Sequence, residues 1–178
     1  MSKTISQRRR IDVVIAALVP QALILLALLG YSLYPLWSGR EIVLRTAPVD
    51  PRDLFRGQYV QLRYEINQAP MPEVGVPRVG RQVFVQLESQ DGVWQAVETR
   101  YTPPPGLFLR GHITSIRTGS VGVDYGIGAW FAPPEQARAL ERQLRAGALA
   151  RLRVADNGQA ALIGVEPLPE PPPSAPPE

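Results

Sequence analysis

The sequence contains no cysteine. That one absence removes disulfides, a lipid anchor on cysteine, thiolate metal sites and cysteine nucleophiles together. It leaves export open, because an oxidising compartment permits disulfides without requiring them. Lysine is nearly as scarce, with Lys3 alone against 18 arginines. Histidine occurs once, at His112, with no second histidine, cysteine or tight acidic cluster to complete a metal site. His112 is expected to be a hydrogen-bonded strand residue, and neither a metal nor another cofactor is expected. There is no phosphate-cradling glycine loop, no nucleophile elbow and no internal repeat. A basic face is missing as well. Between Arg40 and Glu166 stand 15 arginines and 13 acids, so the scattered positive charge does not track a phosphate backbone and no nucleic-acid partner is expected.

What is present begins with a long apolar run. Val13 to Gly39 holds 27 residues without a charge. About 20 apolar residues suffice to cross a bilayer as a helix, so the run is long enough to cross with some tilt. Pro20 is tolerated in such a helix. Tyr31, Tyr34 and Trp37 gather at its C-terminal end, where amphipathic rings suit the headgroup level. Lys3, Arg8, Arg9 and Arg10 precede the run, whereas Arg40, Glu41 and Arg45 nearly balance after it, which keeps the N-terminus cytoplasmic. The run is too long for a cleaved signal peptide, and Leu33-Tyr34-Pro35-Leu36-Trp37 offers no small-residue cleavage site. The expected organisation is a basic cytoplasmic segment 1–11, a signal-anchor helix 12–38, a β-rich extracytoplasmic domain 39–166 and a proline-rich tail 167–178. The location is the inner (plasma) membrane. Seven prolines in the last twelve residues exclude that tail from a packed core.

After the run the hydrophobic period becomes two. Glu41–Arg45 is a short strand, and Asp50-Pro51-Arg52-Asp53 is a turn. Gln58–Ile66 alternates, with Val60, Leu62, Tyr64 and Ile66 on one face and Tyr59, Gln61, Arg63 and Glu65 on the other. A proline- and glycine-rich loop spans Gln68–Gly80. Gln82–Glu88 and Trp94–Tyr101 form a hairpin around Asp91-Gly92. Leu107–Ile116 pairs with Ser120–Tyr125, and Ala148–Val154 with Ala160–Val165 around Asn157-Gly158. One soluble helix is expected from Pro134 to Arg145, stopped at Gly147. The fold class is therefore an N-terminal single transmembrane helix followed by a mainly-β (α+β) extracytoplasmic domain, with antiparallel strands and one short helix.

Two kinds of hydrolytic chemistry can be weighed. Asp50, Asp53 and Asp124 are the carboxylates available for acid–base work, although Asp50 and Asp53 also suit a loop tied by turn bonds and ion pairs with Arg52 and Arg56. Membrane-anchored signal peptidases share the layout of helix then β-domain, and Pro48–Val60 faintly resembles their approach to an early strand. Their serine needs a neutral lysine base. Here Lys3 lies across the membrane, and Thr46-Ala47 stands where the serine is expected, so residue content excludes that chemistry.

Gly57-Gln58-Tyr59-Val60-Gln61-Leu62-Arg63-Tyr64 resembles the signature of the GDYXXLXY family, as do the approach from Gly39 through Arg56 and the stretch Val123–Glu141. The resemblance runs from Tyr34 to about Val165. It implies a prokaryotic membrane-anchored protein without an established activity, found beside or fused to multi-pass membrane proteins. Gln58 replaces the family aspartate, which removes any acidic role there. Gly57 permits a turn into the strand, Leu62 and Tyr64 share the core face, and Tyr59 lies opposite. The expected function is a non-enzymatic binding or scaffolding subunit of a membrane-associated assembly. Its expected contact surfaces are the strand face around Tyr59 and the turn from Asp50 through Asp53 to Arg56. A carboxylate-dependent extracytoplasmic hydrolase is the alternative.

Overall fold

The computed structural model describes residues 2–47, 59–131 and 147–168. Helix α1 (Ser2–Ser38) runs unbroken through the basic segment and the uncharged run. Its stretch Ala16–Ser38, 23 residues, is long and apolar enough to cross a membrane, and it is exposed along most of its length, with Pro35 buried where the last turns meet the domain. Leu23, Leu25 and Leu26 are all about 60% exposed, which no core helix of a domain this size would tolerate.

The domain is antiparallel throughout its described ladders. Strands β1 (Arg40–Arg45), β9 (Ala148–Val154) and β10 (Ala160–Pro167) form a three-stranded sheet with β9 central. A five-stranded sheet has the order β3-β7-β6-β4-β5, from β3 (Gln68–Pro70), β4 (Gln82–Gln90), β5 (Val93–Arg100), β6 (Phe108–Arg117) and β7 (Ser120–Asp124). A small pair joins β2 (Tyr59–Gln61) to β8 (Ala129–Phe131). The larger sheet curls until its edges β3 and β5 approach each other, and β1 lies against β5.

Strict alternation on β9 puts Ala148, Ala150, Leu152 and Val154 inward. They meet Ile42 and Leu44 of β1 and, from the larger sheet, Val83, Val85, Leu109, Ile113, Val121 and Val123. Alternating strands form because each can bury one face only against a second sheet. The β4–β5 turn is tight because Asp91 and Gly92 both take positive φ, 51° and 82°, which matches the twist of the two strands.

Three expectations change. The alternating stretch Gln58–Ile66 does not continue as one strand: after β2 the chain makes a single bridge, Thr46 to Tyr64, and then a 3₁₀ turn, Glu65–Asn67. Leu62, Tyr64 and Ile66 are all buried nonetheless, so the alternation encoded the buried face rather than the ladder. The turn arises because the Asn67 carboxamide accepts the Tyr64 N–H at 2.6 Å, a local side-chain bond that competes with strand pairing. The loop expected over Gln68–Gly80 starts with the short edge strand β3, whose Pro70 is tolerated because edge strands need fewer ladder donors. Strand β8 carried no separate strand signal, being three residues long. The expected turn Asp50–Asp53, the helix Pro134–Arg145 and the end of the tail lie outside the described residues.

Candidate functional site

The motif segment joins the two sheets. Thr46, just past β1, has a hydroxyl that donates to the Ala148 carbonyl at 3.0 Å and accepts the Ala148 N–H at 2.9 Å. Next to it, the Ala47 N–H donates to the Arg63 carbonyl at 2.8 Å. The Leu62 N–H then donates to Gly128 at 2.8 Å. The Tyr64 hydroxyl donates to the Ile127 carbonyl at 2.9 Å, and the Tyr125 hydroxyl returns the bond to the Ile66 carbonyl at 2.7 Å. Asn67 adds a bond from its side-chain amide to the Val123 carbonyl at 2.7 Å. These are reciprocal ties between residues 62–67 and residues 123–128, and both phenol rings are buried. Loss of solvent drives both tyrosines well above their usual ionisation range. Thr46→Val keeps the shape but strands the buried Ala148 N–H. It is expected to cost about 2 kcal/mol, read as a lower urea midpoint.

Leu62 and Tyr64, at 3% and 2% exposed, therefore act inside the fold rather than at its surface. What the segment offers outward is a groove of about 540 Å³ between it and the β6–β7 pair. Arg63, Asn67, Thr114, Ser115 and Asp124 line it. A register irregularity between Ile113 and Ser115 turns the hydroxyls of both Thr114 and Ser115 toward Gly122, the one residue there without a side chain to fill the space. Donors and acceptors thus line an open, polar depression next to the motif. A cavity of this size suits a side-chain cluster or a short peptide segment of a partner.

The remaining sequence-derived candidates fall as follows. Asp124 is exposed, and its carboxylate accepts the Gly126 N–H at 2.9 Å in an Asx-type turn. His112 is on β6 as expected, in register with Asp124 on one side and Gln82 on the other. Among the described residues its ring finds no hydrogen-bond partner, however, because strand parity points it to solvent between buried Gly111 and Ile113. Tyr59 lies on β2, paired with Phe131. Asp50, Asp53, Arg56, Gly57 and Gln58 lie outside the described residues. Among the described residues no group of three His, Asp or Glu side chains is placed to hold a metal.

Sequence reading missed the hydroxyl pair and Asn67. The bulge that presents Thr114 and Ser115 leaves no compositional mark. Asn67 was the findable one, since an asparagine closing an alternating run is a turn signal.

A family model described as GDYXXLXY protein matches residues 21–165. No curated protein and no solved structure matches the chain.

Proposed function

The chain belongs to the GDYXXLXY family, and from that premise we propose that it is a membrane-anchored binding or scaffolding subunit. Helix α1 crosses the inner membrane with the N-terminus cytoplasmic, and the β-domain lies on the extracytoplasmic side. The groove beside the motif receives a segment of another membrane protein, of the multi-pass kind. The observation that carries this reading is the pairing of a membrane-length helix, exposed along most of its length, with an open polar groove on the domain it holds. The groove's hydroxyls, amide and opposed charges fit a polar partner surface, where such groups set specificity more than affinity.

The test places a photo-activated cross-linking residue at Thr114, inside the groove, and separately at Ser89 on the β4–β5 hairpin. Both variants are expressed in the native host. A discrete adduct from position 114, absent from position 89, is the expected result. Equal background from both positions would overturn the binding reading. Topology has its own readout: an alkaline phosphatase fused after Glu178 should be active, and an active cytosolic reporter there would reverse the orientation.

A further inference from the structure

Helix α1 ends in a set of contacts that the sequence does not suggest. Pro35 has no N–H to give the Tyr31 carbonyl one turn back, and the Gln159 side chain donates to that oxygen at 3.4 Å. The Leu36 carbonyl, one of the last four without a helical partner, accepts from the Arg153 guanidinium at 2.6 Å. The Tyr31 hydroxyl accepts from the Arg110 guanidinium at 2.9 Å. Arg40, the first residue of β1, sits over the ring of Trp94 at 5.1 Å. Three arginines from β1, β6 and β9 thus surround the point where the helix meets the domain.

Their partners are all neutral: a phenol, a carbonyl and an indole. Among the described residues, the carboxylates next to this end in the chain or on the adjoining turn make no ion pair with the three arginines. Glu41 is bound to Arg151, and Asp156, in the β9–β10 turn, forms no ion pair with Arg110 or Arg153. Counting Asp156 against them still leaves the cluster at +2. An arginine whose guanidinium has given only one or two of its five donors retains the planar fork that matches phosphate oxygens. Tyr31 and Leu36 are five residues apart, about 7.5 Å along the helix axis, so both arginines meet the helix within its last two turns.

We infer that this collar is a binding site for the phosphate of an anionic phospholipid headgroup in the leaflet facing the domain. The inference rests on the reading of α1 as a membrane span. Its occupant is a lipid rather than free phosphate because the arginines are fixed to the last two turns of an exposed apolar helix, at the depth where Tyr31, Tyr34 and Trp37 mark the headgroup level. The charges come together only on folding, so they do not act on insertion, when local flanking charge sets orientation.

The full chain is reconstituted into phosphatidylcholine bilayers containing either spin-labelled phosphatidylglycerol or spin-labelled phosphatidylcholine, and the motionally restricted fraction of each is compared. Wild-type protein should select phosphatidylglycerol. Arg110→Gln and Arg153→Gln should each reduce the selectivity about fivefold, the effect of one basic residue at an anionic surface. Arg110→Lys, which keeps the charge but loses the fork, should fall between wild type and Arg110→Gln, and Arg117→Gln, at the far end of β6, should leave selectivity in place. Equal restriction of both lipids, or selectivity that survives the double glutamine variant, overturns the inference while leaving the span reading standing. Displacement of the labelled lipid by millimolar glycerol phosphate also overturns it, in favour of a soluble phosphate site. Protein that fails to float with the bilayers removes the span reading and this inference together.

Discussion

Between pH 10 and pH 12 the domain should lose about 5 kcal/mol of stability, falling by about 1.4 kcal/mol per pH unit for each of two tyrosines. Tyr64 and Tyr125 are the pair. Both phenols are buried, both donate a hydrogen bond to a carbonyl, and both are driven upward from the usual value of 10 by loss of solvent. The folded state keeps its phenolic protons above pH 10, where the unfolded chain has released them. Their stabilisation is complete below pH 10 and drains as pH rises toward the folded-state values. Tyr64→Phe or Tyr125→Phe should halve the slope. Each loses one hydrogen bond, costing about 1 kcal/mol near neutrality, so the stability curves of wild type and variant should cross at about pH 11. Urea unfolding of the full chain in detergent, followed by far-ultraviolet circular dichroism, reads both numbers. A single phenylalanine variant with the wild-type slope would mean that these rings do not carry the alkaline transition.

The same two tyrosines show how far the sequence could be read. Tyr64 was placed on the core face by alternation alone, and its burial needs no other information. That its hydroxyl meets Ile127 while Tyr125 answers at Ile66 was not readable. Such bonds join residues some 60 positions apart, at 63 and 59, and hydrophobic period carries no record of distant partners. The long strands β4, β6 and β9 were legible because each has a buried face, and β5 because the Asp91-Gly92 turn joins it to β4. The short pair β2–β8 was not, since three residues cannot establish a period.

The helix and the collar divide in the same manner. An uncharged run of 27 residues announces its own length, and the tyrosines and tryptophan at its end announce a boundary. Arg110 and Arg153 are 79 and 117 residues from their partners on that helix. In sequence they look like ordinary exposed strand positions, and a count of charges next to the helix, limited to Arg40, Glu41 and Arg45, misses them. The candidate groove also depends on folding: Leu62 and Tyr64 signal the motif but go inward, and the surface beside it is built from Thr114, Ser115 and Asp124.

Gly158→Ala should be among the costliest single-methyl changes in the chain, at about 2–4 kcal/mol. Gly158 has a φ of +78°, which a side chain adopts only with strain. A Cβ there would also stand 2.6 Å from the Phe108 ring and 3.0 Å from the Arg110 N–H. The ring has little room to retreat, because Phe108 is buried and packs edge-on against Phe84 with centroids 5.7 Å apart. The Arg110 N–H is the donor that reaches the Gly158 carbonyl at 2.8 Å and ties the β9–β10 turn to β6. Gly119 provides the control: its φ is +80° and an added Cβ would meet nothing within 4 Å. Gly119→Ala should therefore cost only the backbone strain, about 1 kcal/mol. The difference between the two urea midpoints isolates the packing of the turn. It should also be felt at the helix, since Gln159 and Arg110, which flank this contact, are two of the side chains that hold α1. Proteolysis near Gly39 should accelerate in Gly158→Ala and stay at the wild-type rate in Gly119→Ala. Equal midpoints for the two variants would show that the Phe108 contact yields freely and that the turn does not brace the helix.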